Sequence, residues 1–139
     1  MIKKTITFED YNGEKRTEDF YFNLTKAEIA ELELTTEGGL EVMIDKMIKT
    51  KNNPDLVRLF KRLILMSYGE KSPDGRRFIK NDRLTEEFTQ TAAYSELFME
   101  LATNSDSALK FINGVLPREL QEAISAQELN KVMPGPGSR

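Results

Sequence analysis

The side chains available for chemistry are few in kind. The 139-residue chain contains no cysteine and no histidine, which removes disulfides, thiolate metal ligands, ordinary zinc sites and every imidazole proton relay. Acid–base work would have to rest on carboxylates and lysines. Glu86 and Glu87 are neighbours and so diverge on a helix, and no other titratable group is spaced to work with them, so they read as solvated side chains. Gly69-Glu70-Lys71-Ser72 resembles the end of a phosphate loop, but a Walker sequence needs four residues between its first glycine and Gly-Lys-Ser/Thr, with a strand before it. Here Met66-Ser67-Tyr68 reads as a helix end and the spacing fails. The expectation is a protein without catalytic residues, cofactor or metal, whose chemistry is binding.

Charge is unevenly placed. Residues 1–45 hold 5 basic and 11 acidic side chains, residues 46–83 hold 11 and 4, and residues 84–139 hold 4 and 8, for a net charge of −3. The basic centre could meet nucleic acid through Arg76, Arg77, Lys80 and Arg83, with binding that weakens steeply in salt. The overall pI of 5.2 argues instead that the band pairs with the acidic flanks of its own chain or of a neighbouring copy. No segment approaches the ~18 apolar residues of a membrane span, and an intracellular, soluble protein is expected.

The most central element is Asn53–Arg83. Asn53 suits an N-cap, Pro54 the first helical position and Gly69 a C-terminal stop. Leu56, Leu59, Phe60, Leu63 and Ile64 form one stripe of this helix, while Leu65 and Met66 make its second half apolar nearly all round. Such a helix is central in its domain or meets another chain. Ser72-Pro73-Asp74-Gly75 then has the residues of a type I turn, which presents Arg76 and Arg77.

Before it, Ile2, Ile6 and Phe8 alternate along one strand and Phe20 and Phe22 along a second, with Asn12-Gly13 between them, the strongest short hairpin signal. Two strands are marginal alone, so their aromatic face must lie on helices or be completed by another subunit's strand. Thr25-Lys26-Ala27-Glu28 is a capping box for a short helix carrying Ile29 and Leu32 or Leu34. Leu40, Met43, Ile44, Met47 and Ile48 make the most regular amphipathic stripe, expected to pack antiparallel to the central helix.

Past the turn, Asp82 can cap a helix with Leu84 and Phe88, and Thr91 one with Tyr94, Leu97, Phe98 and Leu101. Asn104 or Ser105 begins a helix with Ala108, Phe111, Ile112 and Val115, stopped at Gly114. Between Leu84 and Leu109 there is no Lys or Arg, an acidic, aromatic-rich surface. A last segment from Arg118 to about Val132 is thinly apolar, and Pro134-Gly135-Pro136-Gly137 cannot continue it. The predicted fold is mainly α (α+β), a bundle of about five to six helices with an N-terminal β-hairpin. It forms one domain, with the hairpin over 1–22, the helical part over 23–132 and a flexible tail over 133–139.

Thr7 to Glu28 (TFEDYNGEKRTEDFYFNLTKAE), Tyr68 to Phe78 (YGEKSPDGRRF) and Phe88 to Pro117, with FTQTAAYSELFMELATN and FINGVLP, together resemble the tail assembly chaperones of long-tailed bacteriophages of Gram-positive hosts. The likeness runs in order over nearly all of residues 1–117. It implies a non-enzymatic protein of the host cytoplasm, absent from the finished virion. Such a protein coats the tape measure protein, keeps it soluble and gives way to tail tube protein as that polymerises. In many such phages a ribosomal frameshift near the end of the gene also yields an extended form, and the weak last segment and Pro/Gly tail are where such a junction would fall. A holdase needs apolar contact surface of modest affinity, so that a later partner displaces it. The apolar run Leu97-Phe98-Met99 is too wide for one helix face. The expected partner-binding residues are therefore Leu65, Met66, Tyr94, Phe98 and Met99, together with the hairpin face and with Arg76 and Arg77 on the turn; the competing reading places Tyr94, Phe98 and Met99 in the core. The free hairpin edge and the surplus apolar residues favour a homo-oligomer.

Overall fold

Alternating apolar side chains build the sheet from the N-terminus onward. The computed structural model describes residues 1–35, 42 and 54–117. Strands β1 (Ile2–Glu9) and β2 (Lys15–Phe22) form an antiparallel hairpin with Ile2 opposite Phe22 and Glu9 opposite Lys15. The turn is held by Asp10, whose carboxylate accepts the backbone N–H groups of Asn12 and Glu14, each at 2.9 Å, and the Arg16 Nε–H at 2.6 Å. That Arg16 bond is the main reason the Asp10 carboxyl titrates below its ordinary range. Gly13 takes a positive φ of 81° at the tip, which explains the glycine after Asn12.

The chain then runs through α1 (Lys26–Thr35), α2 (Pro54–Ser67), β3 (Tyr68–Lys71), β4 (Phe78–Ile79), α3 (Asp82–Thr89), α4 (Ala92–Thr103) and α5 (Ser105–Val115). The described residues thus form a mixed α+β fold with five helices and a four-stranded antiparallel sheet of order β1-β2-β3-β4, rather than a mainly helical bundle. The hairpin's β2 edge is completed from within the chain: β3 pairs with it, with Tyr21 opposite Gly69 and Phe22 opposite Tyr68.

Gly69 is therefore not a helix stop. Helix α2 ends at Ser67, whose buried hydroxyl donates back to the Leu63 and Ile64 carbonyls at 2.8 and 3.1 Å, and the chain passes directly into β3. A Cβ on Gly69 would lie 2.6 Å from the Phe78 ring and 2.8 Å from the Ile79 carbonyl oxygen, so the glycine permits β3 and β4 to approach. Gly114 is likewise a contact residue inside α5, where a Cβ would come within 2.7 Å of Ile2. The Ser72–Gly75 turn is present, closed by Gly75 N–H to the Ser72 carbonyl at 2.9 Å, and it joins β3 to β4.

Three caps match expectation. Thr25 and Glu28 exchange reciprocal bonds of 3.1 and 2.8 Å, Thr91 caps α4 at 3.3 Å and Asn104 caps α5 at 3.1 Å. Helix α3 is capped by Asn81, which accepts the Leu84 N–H at 2.8 Å, and Asp82 stands in its first turn. The Asn53 cap, the stripe from Leu40 to Ile48, the segment from Arg118 and the Pro/Gly tail lie outside the described residues.

Helices α4 and α5 lie against β1, α3 lies against β3, and α2 packs on α4. Between sheet and helices, rings cluster about Phe88. It stacks on Tyr68 at 4.2 Å and meets Phe20, Phe22 and Tyr94 at 5.4, 5.8 and 5.6 Å between centroids. Phe111 reaches the same cluster through Phe22 at 5.2 Å. Burial raises the Tyr68 phenol above its usual range, helped by the nearby Glu70 carboxylate. Phe88 joins β2, β3 and α4 at once, so Phe88→Ala should lower the unfolding free energy by about 3–5 kcal/mol in urea denaturation, with the hairpin and helices still lost in one transition.

Candidate partner-binding surface

Helix α4 sorts its apolar residues by spacing. Ala93, Leu97 and Leu101 recur every four residues and are buried, facing the sheet. Tyr94 and Phe98, one position on from the first two, are half-buried and pack against the core, their rings 6.1 Å apart. Burial raises the Tyr94 phenol. Met99 turns outward and is 56 % exposed. The wide apolar run thus splits into core, margin and surface.

Leu65 and Met66 on α2 share the marginal position, half-buried and packed against the core. Because α2 and α4 are packed together, Leu65, Met66, Tyr94 and Phe98 all stand on one helix pair. The outward side of α2 also carries exposed Val57, Arg58, Lys61 and Arg62, which mixes apolar with basic character. Arg76 and Arg77 are placed elsewhere, exposed on the β3–β4 turn, where their backbone N–H groups bond Asp74 Oδ1 at 3.1 Å and Ser72 Oγ at 3.0 Å. Among side chains not expected on a binding surface, Leu34 is 87 % and Tyr11 84 % exposed. Leu34 is the alternative to Leu32 as a core residue of α1. It is Leu32 that is buried.

A groove of about 290 Å³ runs between β1 and α4, where Thr5, Ile6 and Thr7 face Glu96, Met99, Glu100 and Thr103. Thr5 and Thr7 point to the outer sheet face and Ile6 to the inner one, so the groove lies along the strand's edge. A second, of about 310 Å³, lies by the hairpin tip between Phe8, Tyr11, Arg16 and the α3–α4 junction at Thr91. The sequence offers no signal for either, since both bring together residues more than 70 positions apart.

Two cations of the basic band, Lys80 and Arg83, hold carboxylates of the same chain. Lys80 Nζ donates to the Asn23 carbonyl at 2.7 Å and to both Glu28 oxygens at 2.7 and 2.8 Å, locking the approach to α3 onto the capping box of α1. Arg83 pairs with Glu87 at 3.1 Å one helical turn away. Lys4 reaches across to Glu100 on α4 at 2.7 Å. Of the four cations that a phosphate-binding surface would use, Lys80 and Arg83 already hold carboxylates. Among the described residues there is no cluster of three or more carboxylates able to hold a metal ion, and no helix long and apolar enough to cross a membrane.

A family model described as phage tail assembly chaperone matches residues 1–135. No curated protein and no solved structure matches the chain. Lys80→Ala strands the Asn23 carbonyl and the Glu28 carboxylate, and should cost about 1–3 kcal/mol in chemical denaturation. Arg76→Ala on the exposed turn should stay within about 0.5 kcal/mol of the parent.

Proposed function

The chain belongs to the phage tail assembly chaperone family, and on that premise we propose that it binds the tape measure protein. It keeps that protein soluble in the host cytoplasm, is displaced as tail tube protein polymerises, and does not enter the finished virion. The observation that carries this reading is the family match over residues 1–135. The physical properties of the surface support it.

A holdase must grip apolar side chains without holding them permanently. On α2 and α4 the apolar margin formed by Leu65, Met66, Tyr94 and Phe98 is half-covered, with Val57 more exposed on the same helix as Leu65. A helical client could cover this margin and gain a few side chains' worth of burial, at roughly 25 cal/mol per Å². That is well short of the continuous apolar interface of an obligate complex. The neighbouring Arg58, Lys61 and Arg62 keep the surface hydrated when the client leaves. Modest burial with a polar surround fits a partner that tail tube subunits must later replace.

Co-expression tests this. With the wild-type chaperone the tape measure protein should stay in the soluble fraction, and without it the tape measure protein should pellet. Leu65→Gln and Phe98→Gln, each shown by circular dichroism to be folded, should weaken capture about tenfold, as loss of one apolar anchor would. Equal solubility of the tape measure protein with and without the chaperone would overturn the reading.

A further inference from the structure

Among the described residues β1 stands at the edge of the sheet, and the phase of that strand can be read from its ends. Asp10 N–H bonds the Glu14 carbonyl at 2.8 Å, on the same register that sets Ile2 opposite Phe22. Even-numbered residues of β1 therefore exchange backbone bonds with β2, and the odd ones face away. The bond from Asn23 N–H to the Ser67 carbonyl at 2.7 Å gives the same phase from the β2–β3 side. Lys3, Thr5, Thr7 and Glu9 thus turn their N–H and C=O groups outward, and all four side chains are exposed.

We propose that β1 pairs antiparallel with β1 of a second copy about a two-fold axis at Ile6. In this register Lys3 lies opposite Glu9 of the second copy and Thr5 opposite Thr7. All of these residues have outward backbone groups, so each pair exchanges both hydrogen bonds. The strand is self-complementary in charge: two Lys–Glu pairs bracket two Thr–Thr pairs, the combinations that favour cross-strand contact. The same kind of pair already occurs within the protomer, where the Thr7 and Thr17 hydroxyls are 2.9 Å apart.

Two further features fit this partner. Inward-pointing charges ordinarily guard an open edge, and Lys4 is the inward charge of β1, but Glu100 neutralises it at 2.7 Å within the protomer. The groove that holds the exposed Met99 includes Thr5, Ile6 and Thr7 together with Glu96, Glu100 and Thr103, so the axis at Ile6 falls within its β1 wall. The two Met99 side chains then lie on the same side of the joined sheet. The pairing joins two four-stranded sheets into one isologous sheet with a single shared interface.

Sedimentation of the purified chain without any client tests the proposal. The wild type should sediment as twice its 15.9 kDa chain mass. Lys3→Glu and Glu9→Lys each set like charges opposite one another twice per interface and should each weaken dimerisation about tenfold. The double variant Lys3→Glu/Glu9→Lys restores both pairs and should return to the wild-type affinity. Thr5→Pro removes an outward N–H without touching the β2 ladder and should give monomer. A wild-type monomer at all concentrations, a dimer indifferent to Thr5→Pro, or a double variant no tighter than the single ones would each overturn it. If Thr5→Pro fails to fold, the charge exchange on the exposed face still decides. An edge that accepts a client strand but not a second copy would show as a wild-type monomer, which also contradicts the proposal.

Discussion

The ring of Phe88 is where sheet and helices are joined. An antiparallel sheet with one wet face has only its inner face to bury, and here that face is aromatic at Phe8, Phe20, Phe22 and Tyr68. Flat rings leave gaps that a smooth aliphatic surface would not, and they pack best offset or edge-on. Phe88 meets three of its neighbours in these ways, lying nearly parallel to Tyr68 at 10° and steeply inclined to Phe22 and Tyr94 at 61° and 76°, while Phe20 is tilted at 43°. Removing it would separate α3 from two strands and from the start of α4 together.

Much of the rest follows from satisfying that cluster with a short chain. Helix α2 cannot run past Ser67, because Tyr68 must swing onto Phe88 and Phe22. The chain turns into β3, and Gly69 permits the tight β3–β4 hairpin that follows. Lys80 then clamps this hairpin's exit to α1 through Glu28 and the Asn23 carbonyl. Order is thus concentrated on the β2–β3–α3 side. Among the described residues the opposite edge, β1, pairs with no strand beyond β2, and Met99 beside it is exposed.

Legibility in sequence tracked how local the cause was. The hairpin was readable because Asn12-Gly13 and the alternation on both sides act within a few residues, and the Thr25–Glu28 box and the Thr91 cap were readable for the same reason. Strand β3 was not, since Tyr68-Gly69-Glu70-Lys71 follows an apolar helix and is too short to show a period, while glycine there looks like a stop. Strand β4 has two residues and no pattern at all. Asn81 and Asp82 are both good caps, and only the backbone path from β4 chooses between them. Missing the second half of the sheet came from these short strands, while five helices stand among the described residues. The Lys80–Glu28 pair spans 52 positions and left no local trace. Met99 was legible as surplus because three successive apolar residues cannot share one helix face, although its place beside the β1 edge required the fold.

Native-state hydrogen exchange measures most directly whether this aromatic junction makes sheet and helices one body. Backbone amides of Lys4 and Ile6 in β1, Phe20 in β2, and Leu97 and Leu101 in α4 should exchange through a single opening with one common free energy, equal to that of global unfolding. Exchange of the hairpin amides through a separate opening of lower free energy, while those of α4 stay protected, would contradict the account.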